Sequence, residues 1–303
     1  MSVSPLTLGV LIPCLALVVA LIVFVVNLVR PSSIPISREE RTVRWVRFVG
    51  LFLGATVGVW VLLEPTPLDR GLGSAAVIAP LCFGTIVMVS VLIGEFVVRP
   101  RFAVGPRSAA LRPRRLRDHL PPRLTRLVAT MTVVAGLVSL WGFLTAGPDD
   151  LGRAGRSLTA HCSPDITSSN GPYPGSFYLV PYLIGVVVVA AIGLLAALAI
   201  SRRSLGAEPG SADRYRRAGL TTVLSAYGLT LSVPLVGIAF FAATALLSHE
   251  CPQRGWTAAG IVLIGVAFAA VGTMIVSLVG LIVPTALGTT DVLHGAERTN
   301  SHV

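Results

Sequence analysis

The sequence contains no lysine: all 24 basic residues of the 303-residue chain are arginine. Without lysine, the chain has neither the lysine of a Walker A phosphate-binding loop nor the lysine that forms a retinal Schiff base. Charged residues of all types make up 13% of the chain, against about 25% in soluble domains. The composition therefore excludes those two function classes and argues against a soluble protein.

Recognisable catalytic patterns are also missing. The five histidines form no H-E-x-x-H motif, and no G-x-S-x-G nucleophile elbow occurs. No two carboxylates lie within one helical turn inside the apolar segments. One polar segment holds four potential ligands whose spacing matches no metal-site pattern: Asp149, Asp150, His161 and Asp165. We therefore expect no enzymatic activity, no bound metal and no cofactor.

Long apolar segments dominate what the chain does contain, and its mean hydropathy is +0.80. A bilayer core of about 30 Å needs roughly 20 apolar residues in a helix. Seven segments meet that length: 6–29, 46–63, 75–98, 127–146, 178–200, 220–247 and 257–284. The alternation typical of membrane β-barrels is absent. We predict an all-α, polytopic transmembrane helix bundle with seven spanning helices, in a single domain (1–288) with a short polar cytoplasmic tail (289–303).

Arginine is unevenly distributed among the polar connectors. The segments 30–47, 99–126 and 202–217 hold 19 of the 24 arginines. Because basic residues stay on the cytoplasmic side, we predict that the N-terminus lies outside and the C-terminus inside a bacterial cell (inner) membrane. The tryptophans and two tyrosines then fall at helix ends, as interfacial aromatic rings do: Trp60, Trp141, Trp256, Tyr178 and Tyr182 at outer ends and Trp45 at an inner end.

The most basic stretch is "LRPRRLRDHLPPRLTR" at 111–126. No aromatic residues interleave its arginines for base stacking, so we expect no nucleic-acid binding. A cytoplasmic polybasic segment attracts anionic lipid headgroups, and docking of a protein partner is the alternative. We predict a cytoplasmic basic patch formed by Arg112, Arg114, Arg115, Arg117, Arg123 and Arg126.

The run "GEFVVRPRF" at 94–102, followed by "SAALRPRRLRDHLPPRLTR" at 108–126, resembles a pattern in uncharacterised actinobacterial multi-pass membrane proteins. The resemblance covers about a tenth of the chain. It implies a multi-pass membrane protein and no particular activity, so it assigns no functional residue.

The four cysteines form two pairs by their surroundings. Cys14 and Cys82 lie in apolar segments, where we expect inert packing residues. Cys162 and Cys251 lie in polar connectors separated by two spans, so they share one side of the membrane. In our orientation that side is the outer one, where disulfides persist. We predict a Cys162–Cys251 bridge that pins the loop 147–177 as an outer cap; two free thiols are the alternative.

Small and polar residues mark three further positions in the spans. Gly50, Gly54 and Gly58 share one helix face, which lets another helix approach closely. We expect packing within the chain, with homodimerisation as the alternative.

Glu95 lies four residues before Arg99, which predicts an ion pair at the surface rather than a functional carboxylate. Ser225, Tyr227, Thr230 and Ser232 form a mildly polar stripe near Pro234; we favour packing over a role in lining a cavity.

The leading functional hypothesis is a non-enzymatic subunit or partner in a membrane assembly, with the basic patch as its cytoplasmic contact. The alternative is a small-solute transporter whose second to fourth and fifth to seventh spans form inverted triplets, with Pro80 and Pro234 in the middle helices. A membrane enzyme that acts on lipid or cell-wall precursors is a third hypothesis.

Overall fold

A computed structural model describes residues 38–63, 73–97, 119–149, 151–202, 209–251 and 253–282. This part contains six helices: α1 (Arg38–Leu63), α2 (Ala75–Val97), α3 (Pro122–Thr145), α4 (Ser176–Arg202), α5 (Pro209–Leu247) and α6 (Trp256–Ile282). Each of the six is long and apolar enough to cross a membrane. They correspond to six of the seven predicted spans, and together they indicate a multi-pass membrane protein. The first predicted span (6–29) and the polar tail (289–303) lie outside the described residues.

Helix formation in these segments follows from the membrane rather than from residue preference. α4 contains a run of four valines, Val186–Val189, which favours a strand in water. In lipid, every backbone polar group must be bonded within the segment, and a helix achieves this. α1 begins at Arg38, eight residues before the predicted span, which is where the sequence "SREE" at 37–40 predicts a helix start.

α5 is the central helix of the described bundle. In the most apolar 18 residues of its span Tyr215–Leu247, 67% of the residues are buried, a larger share than in any other candidate span. The helices α2, α3, α4 and α6 pack around it, while α1 packs against α2. Alanines at the contacts, among them the fully buried Ala226, Ala239 and Ala243, allow close approach because they carry only a methyl group.

A small antiparallel sheet makes the all-α prediction incomplete. It consists of β1 (Ala146–Gly147), β2 (Ser157–Ser163) and β3 (Ile166–Asn170) in the order β1-β2-β3. Leu158 pairs with Ala146 on one side and with Asn170 on the other, and the register shifts between His161 and Ser163. The sheet lies in the segment between α3 and α4, for which the sequence predicts an outer cap without strands. The strands were not predicted because strands this short give little periodicity.

The bundle has two chemically different ends. We call the end formed by the C-terminus of α3 and the N-terminus of α4 the capped end, because the sheet connects these helices there. The opposite end, where α3 and α5 begin, is the arginine-rich end. α2 and α5 run antiparallel, since Gly84 faces Thr230 while Glu95 contacts Tyr215. Glu95 therefore belongs to the arginine-rich end.

Candidate functional site

A disulfide ties the sheet to the loop between α5 and α6. Cys162 of β2 is bonded to Cys251, with 5.6 Å between their Cα atoms and a sequence separation of 89. This confirms the predicted bridge. Of the two remaining cysteines, Cys82 is partly buried in α2, and Cys14 lies outside the described residues.

Hydrogen bonds hold the cap on the helices in addition to the disulfide. The Asn170 side-chain amide donates to the Ala245 carbonyl at 3.1 Å and to the Ser248 hydroxyl at 3.0 Å, both at the end of α5. The hydroxyls of Tyr173 and Thr145 lie 2.5 Å apart, and Tyr173 is fully buried. The cap is thus fixed to α3 and α5 at several points.

Asp149 organises the first turn of the cap. Its carboxylate accepts hydrogen bonds from the amides of Leu151 (3.0 Å) and Arg153 (2.8 Å), and from Arg153 Nε (2.7 Å). Desolvation would raise the pKa of Asp149, but these hydrogen bonds and the Arg153 charge outweigh it and lower the pKa below its ordinary value. Asp149 therefore serves the turn, and its oxygens are already engaged.

His249 lies buried beside the disulfide. It is 5% exposed, and its Nδ1 accepts a 3.1 Å hydrogen bond from the backbone N–H of Cys251. Its ring stands edge to face against the ring of Trp256, with 5.0 Å between the centroids. Trp256, predicted at an outer interface, does begin α6 but is only 8% exposed. Its ring belongs to a buried cluster that includes Leu158 and Ala160 of the cap.

At the arginine-rich end, a buried carboxylate joins three helices. The Glu95 side chain on α2 is 1% exposed, and its Oε1 lies 3.6 Å from Nη2 of Arg47 on α1. The hydroxyl of Tyr215 on α5 donates a 2.8 Å hydrogen bond to the same oxygen. The carboxylate was predicted to lie at the surface, and this prediction is wrong: α1 and α5 cover it. Arg99 lies outside the described residues.

A second ionic group lies beside it on α5. Asp213 Oδ1 is 3.2 Å from Nη1 of Arg216 and 3.1 Å from Nε2 of His119, which precedes α3. The Arg216 side chain is 7% exposed, whereas that of Asp213 is 55% exposed. α5 therefore contacts the carboxylate shared by α1 and α2 through the Tyr215 hydroxyl and the start of α3 through Asp213.

The polar stripe of α5 faces the interior of the bundle. Ser225, Thr230 and Ser232 are each 0% exposed. Thr230 and Ser232 donate to carbonyls one turn earlier, at 2.8 and 2.7 Å. Ser225 Oγ, and Ser277 Oγ on α6, have no hydrogen-bond partner among the described residues. The stripe is thus part of the helix packing.

Tyr182 also differs from its predicted place at an interface. It is 0% exposed, and its hydroxyl donates a 3.0 Å hydrogen bond to the Leu231 carbonyl of α5. That carbonyl lies three residues before Pro234 in α5. Tyr182 therefore ties α4 to α5 in the turn that precedes the proline.

The three glycines of α1 face α2. A Cβ on Gly50 would lie 1.8 Å from Ser90 Oγ, one on Gly54 would lie 3.1 Å from Phe83, and one on Gly58 would lie 3.5 Å from the Ala79 carbonyl. This is the packing within the chain that we expected. Because α2 covers this face, it is not free to form a homodimer.

The predicted basic patch falls mostly outside the described residues, which include neither Arg112, Arg114, Arg115 nor Arg117. Arg123 and Arg126 lie in the first turns of α3 and are exposed, and Arg126 Nε donates to the Pro122 carbonyl at 3.3 Å. Within the described part of the chain, which omits Asp150, no three His, Cys, Asp or Glu residues are placed to hold a metal ion.

Sequence reasoning missed Arg47, Tyr215 and His249. Arg47 and Tyr215 belong to arginine-rich segments, where Arg47 counts only as flanking charge and Tyr215 has no predicted role. His249 was a lone histidine in a connector. One signal was present: Arg47 follows Trp45 inside the apolar span Trp45–Leu63, and an arginine in that position needs a partner.

Comparisons of this chain with protein-family models, with curated proteins and with solved structures found no match.

Proposed function

We propose that this chain is a multi-pass protein of a bacterial cell membrane, with its arginine-rich end in the cytoplasm and its capped end outside. Two independent features support this orientation. Basic residues are retained on the cytoplasmic side of membranes, and the disulfide Cys162–Cys251 belongs to the opposite end, as expected for an oxidising compartment.

In that membrane the chain acts as a non-enzymatic subunit or partner in a larger assembly. The observation that carries this proposal is the close contact of α5 with its neighbours. A Cβ on Gly84 would lie 1.9 Å from Thr230 Oγ1, and one on Gly228 would lie 2.4 Å from Ser277 Oγ. At these points, side chains occupy the volume that a solute path along α5 would need. The exposed charged side chains of the described residues lie at the two ends, where an assembly partner or anionic lipid headgroups would bind.

A small-solute permease is the second candidate. It is favoured by Pro234 within α5 and by the fully buried hydroxyls of Ser225 and Ser277, which have no hydrogen-bond partner in the described part of the chain, since irregular helices with polar groups line many transport sites. The inverted-triplet scheme receives less support. α5 and α6 pack extensively against each other, whereas α2 and α3, which hold the equivalent positions in the first triplet, share little or no contact.

The orientation is tested by labelling intact cells with a membrane-impermeant maleimide. The background is Cys14→Ala/Cys82→Ala, in which the bridged cysteines stay unreactive. Leu151→Cys in the cap and Arg217→Cys at the arginine-rich end are matched probes, since both native residues are exposed. We expect labelling of Leu151→Cys in intact cells and of Arg217→Cys only after lysis. The reverse pattern would overturn the orientation.

The assembly is tested by extraction with its native lipid and quantitative mass spectrometry of what copurifies. A stoichiometric protein partner that is lost when Arg112, Arg114, Arg115 and Arg117 are all replaced by glutamine supports the proposal. The control replaces Arg153 and Arg254 at the capped end. A monomer that retains a small solute instead would favour the permease.

A further inference from the structure

We propose that His249 makes the capped end respond to pH: protonation of its buried imidazole breaks the hydrogen bond to Cys251 and loosens the segment that carries the disulfide. The proposal goes beyond the assembly function. Its test uses purified protein and does not depend on orientation or partners, so it can fail independently of them.

The hydrogen bond fixes the tautomer of His249. The Cys251 backbone N–H donates to Nδ1 at 3.1 Å, so Nδ1 carries a lone pair and no proton. The proton of the neutral ring is therefore on Nε2. Nε2 is buried and has no hydrogen-bond partner among the described residues. In this state the ring accepts one hydrogen bond and carries no charge.

Protonation changes both properties at once. The only lone pair available for the incoming proton is that of Nδ1, and the imidazolium then has two donors and no acceptor. The Nδ1–H and the Cys251 N–H would point at each other, so one group must move. The new positive charge would also lie in a group only 5% exposed, which is unfavourable without a counter-ion.

None of the described ion pairs gives His249 a carboxylate counter-ion. Glu250 and Arg254 of the same loop are exposed, as are His161 and Asp165 of the β2–β3 hairpin. In the rest of the cap, Asp149 pairs with Arg153, and the Arg156 guanidinium lies 3.9 Å above the ring of Phe177. On α6 the neighbour of His249 is the uncharged Trp256. The imidazolium would therefore move toward water, which solvates its charge.

Movement of His249 would be transmitted through the covalent bridge. Cys251 is two residues from His249 and is bonded to Cys162 at the far end of β2. Trp256 would lose its aromatic contact, and it is the first residue of α6. Acidification that protonates the ring would therefore loosen the contacts of the disulfide, whose Cys162 is already exposed and whose Cys251 is partly buried, and displace the start of α6.

The first experiment measures the reduction rate of the Cys162–Cys251 bridge by a phosphine reductant at pH 7.5 and pH 5.0. His249→Asn is the reference, because an Asn oxygen can accept the Cys251 N–H and does not titrate. At each pH, the wild-type reduction rate is divided by the His249→Asn rate. We expect this ratio to be about fivefold higher at pH 5.0 than at pH 7.5, the factor that corresponds to the loss of one ordinary hydrogen bond. His161→Asn, at an exposed histidine of the same cap, is expected to behave as wild type.

A second readout covers the case in which His249→Asn does not fold. Trp45, Trp60 and Trp141 are replaced by phenylalanine, so that fluorescence reports on Trp256 alone. If His249 moves away and the start of α6 is displaced, Trp256 loses its contact with the imidazole and becomes more accessible to water, so its emission maximum should shift to longer wavelength at pH 5.0. Trp256 fluorescence that stays constant between pH 7.5 and 5.0, or a reduction-rate ratio that does not change, would overturn the proposal.

Discussion

The hydroxyl of Tyr215 donates a 2.8 Å hydrogen bond to the carboxylate of Glu95, although the two residues are 120 positions apart in the sequence. The same oxygen faces Arg47 at 3.6 Å. One buried carboxylate thus holds the N-terminal part of α1 and the N-terminal part of α5 against the C-terminal part of α2.

We expect Glu95→Gln to lower the free energy of unfolding by about 3 kcal/mol, because Arg47 would keep a largely buried charge without its carboxylate. Unfolding in a denaturing detergent, monitored by circular dichroism, measures the effect. Glu250→Gln, which removes an exposed acid, is the control and should change stability by less than about 0.5 kcal/mol. The double variant Arg47→Leu/Glu95→Leu should recover most of the loss; if it is as unstable as Glu95→Gln, the ion pair is not the cause.

Gly50 is predicted to be intolerant of a side chain. A methyl group on its Cα would lie 1.8 Å from Ser90 Oγ, so Gly50→Ala should destabilise the protein by about 1–3 kcal/mol through overpacking. Gly136→Ala is the matched control, since nothing lies within 4 Å of its Cβ position; it should be neutral or slightly stabilising. Adding Ser90→Gly to Gly50→Ala should restore stability in the same unfolding assay, and equal effects of the two single glycine variants would contradict the packing argument.

The disulfide should contribute measurably to stability. Because it closes a loop of 89 residues, the loop-entropy relation gives about 4 to 5 kcal/mol. We expect reduction to change electrophoretic mobility in the wild type and to leave the mobility of Cys162→Ser unaltered. Reduction should also lower the unfolding midpoint of the wild type to that of Cys162→Ser. Reaction of both thiols with a maleimide in the absence of reductant would show that no bridge exists.

The turn at Asp149 should lose stability at low pH. The pKa of Asp149 is lower in the folded protein than its ordinary value of 3.8, so its hydrogen bonds stabilise the turn fully above that value. The stabilisation is lost as the pH falls below about 3.8 and through the folded pKa. Pepsin cleavage at the exposed Leu151 should therefore accelerate as the pH falls from 4 to 2, relative to the rate in Asp149→Asn. A constant ratio of the two rates would contradict this prediction.

Local and compositional signals predicted most of the helices. A bilayer imposes a minimum apolar length, so residue composition alone located α1 to α6 to within a few residues at most ends. The exceptions are informative: α1 and α5 extend beyond the apolar runs at 46–63 and 220–247, to Arg38 and Pro209, because polar turns continue a helix outside the hydrocarbon. The Cys162–Cys251 bridge was also predictable, since counting spans assigns both cysteines to one side.

Pairing between distant residues was not predictable, because it depends on how the helices rotate and on which helices are neighbours. The sequence predicts a local ion pair between Glu95 and Arg99. The packing of α1 and α5 on α2 gives Glu95 two distant partners, Arg47 and Tyr215. Tyr182 and Trp256 have the sequence position of interfacial residues, yet tertiary contacts bury them. The short strands of the cap have too few residues for a periodic pattern.

The sequence by itself determined the class of protein, the positions of its apolar helical segments, the separation of arginine from cysteine between the two ends, and the absence of lysine chemistry. These properties follow from composition and from one-dimensional spacing against a bilayer of fixed thickness. The tertiary structure decided that α5 is central, that the glycines of α1 face α2, that Glu95 is buried and that His249 lies against the disulfide. Such relationships depend on the facing surfaces of helices far apart in the chain, and hydropathy is nearly the same on all sides of a helix that lies in lipid.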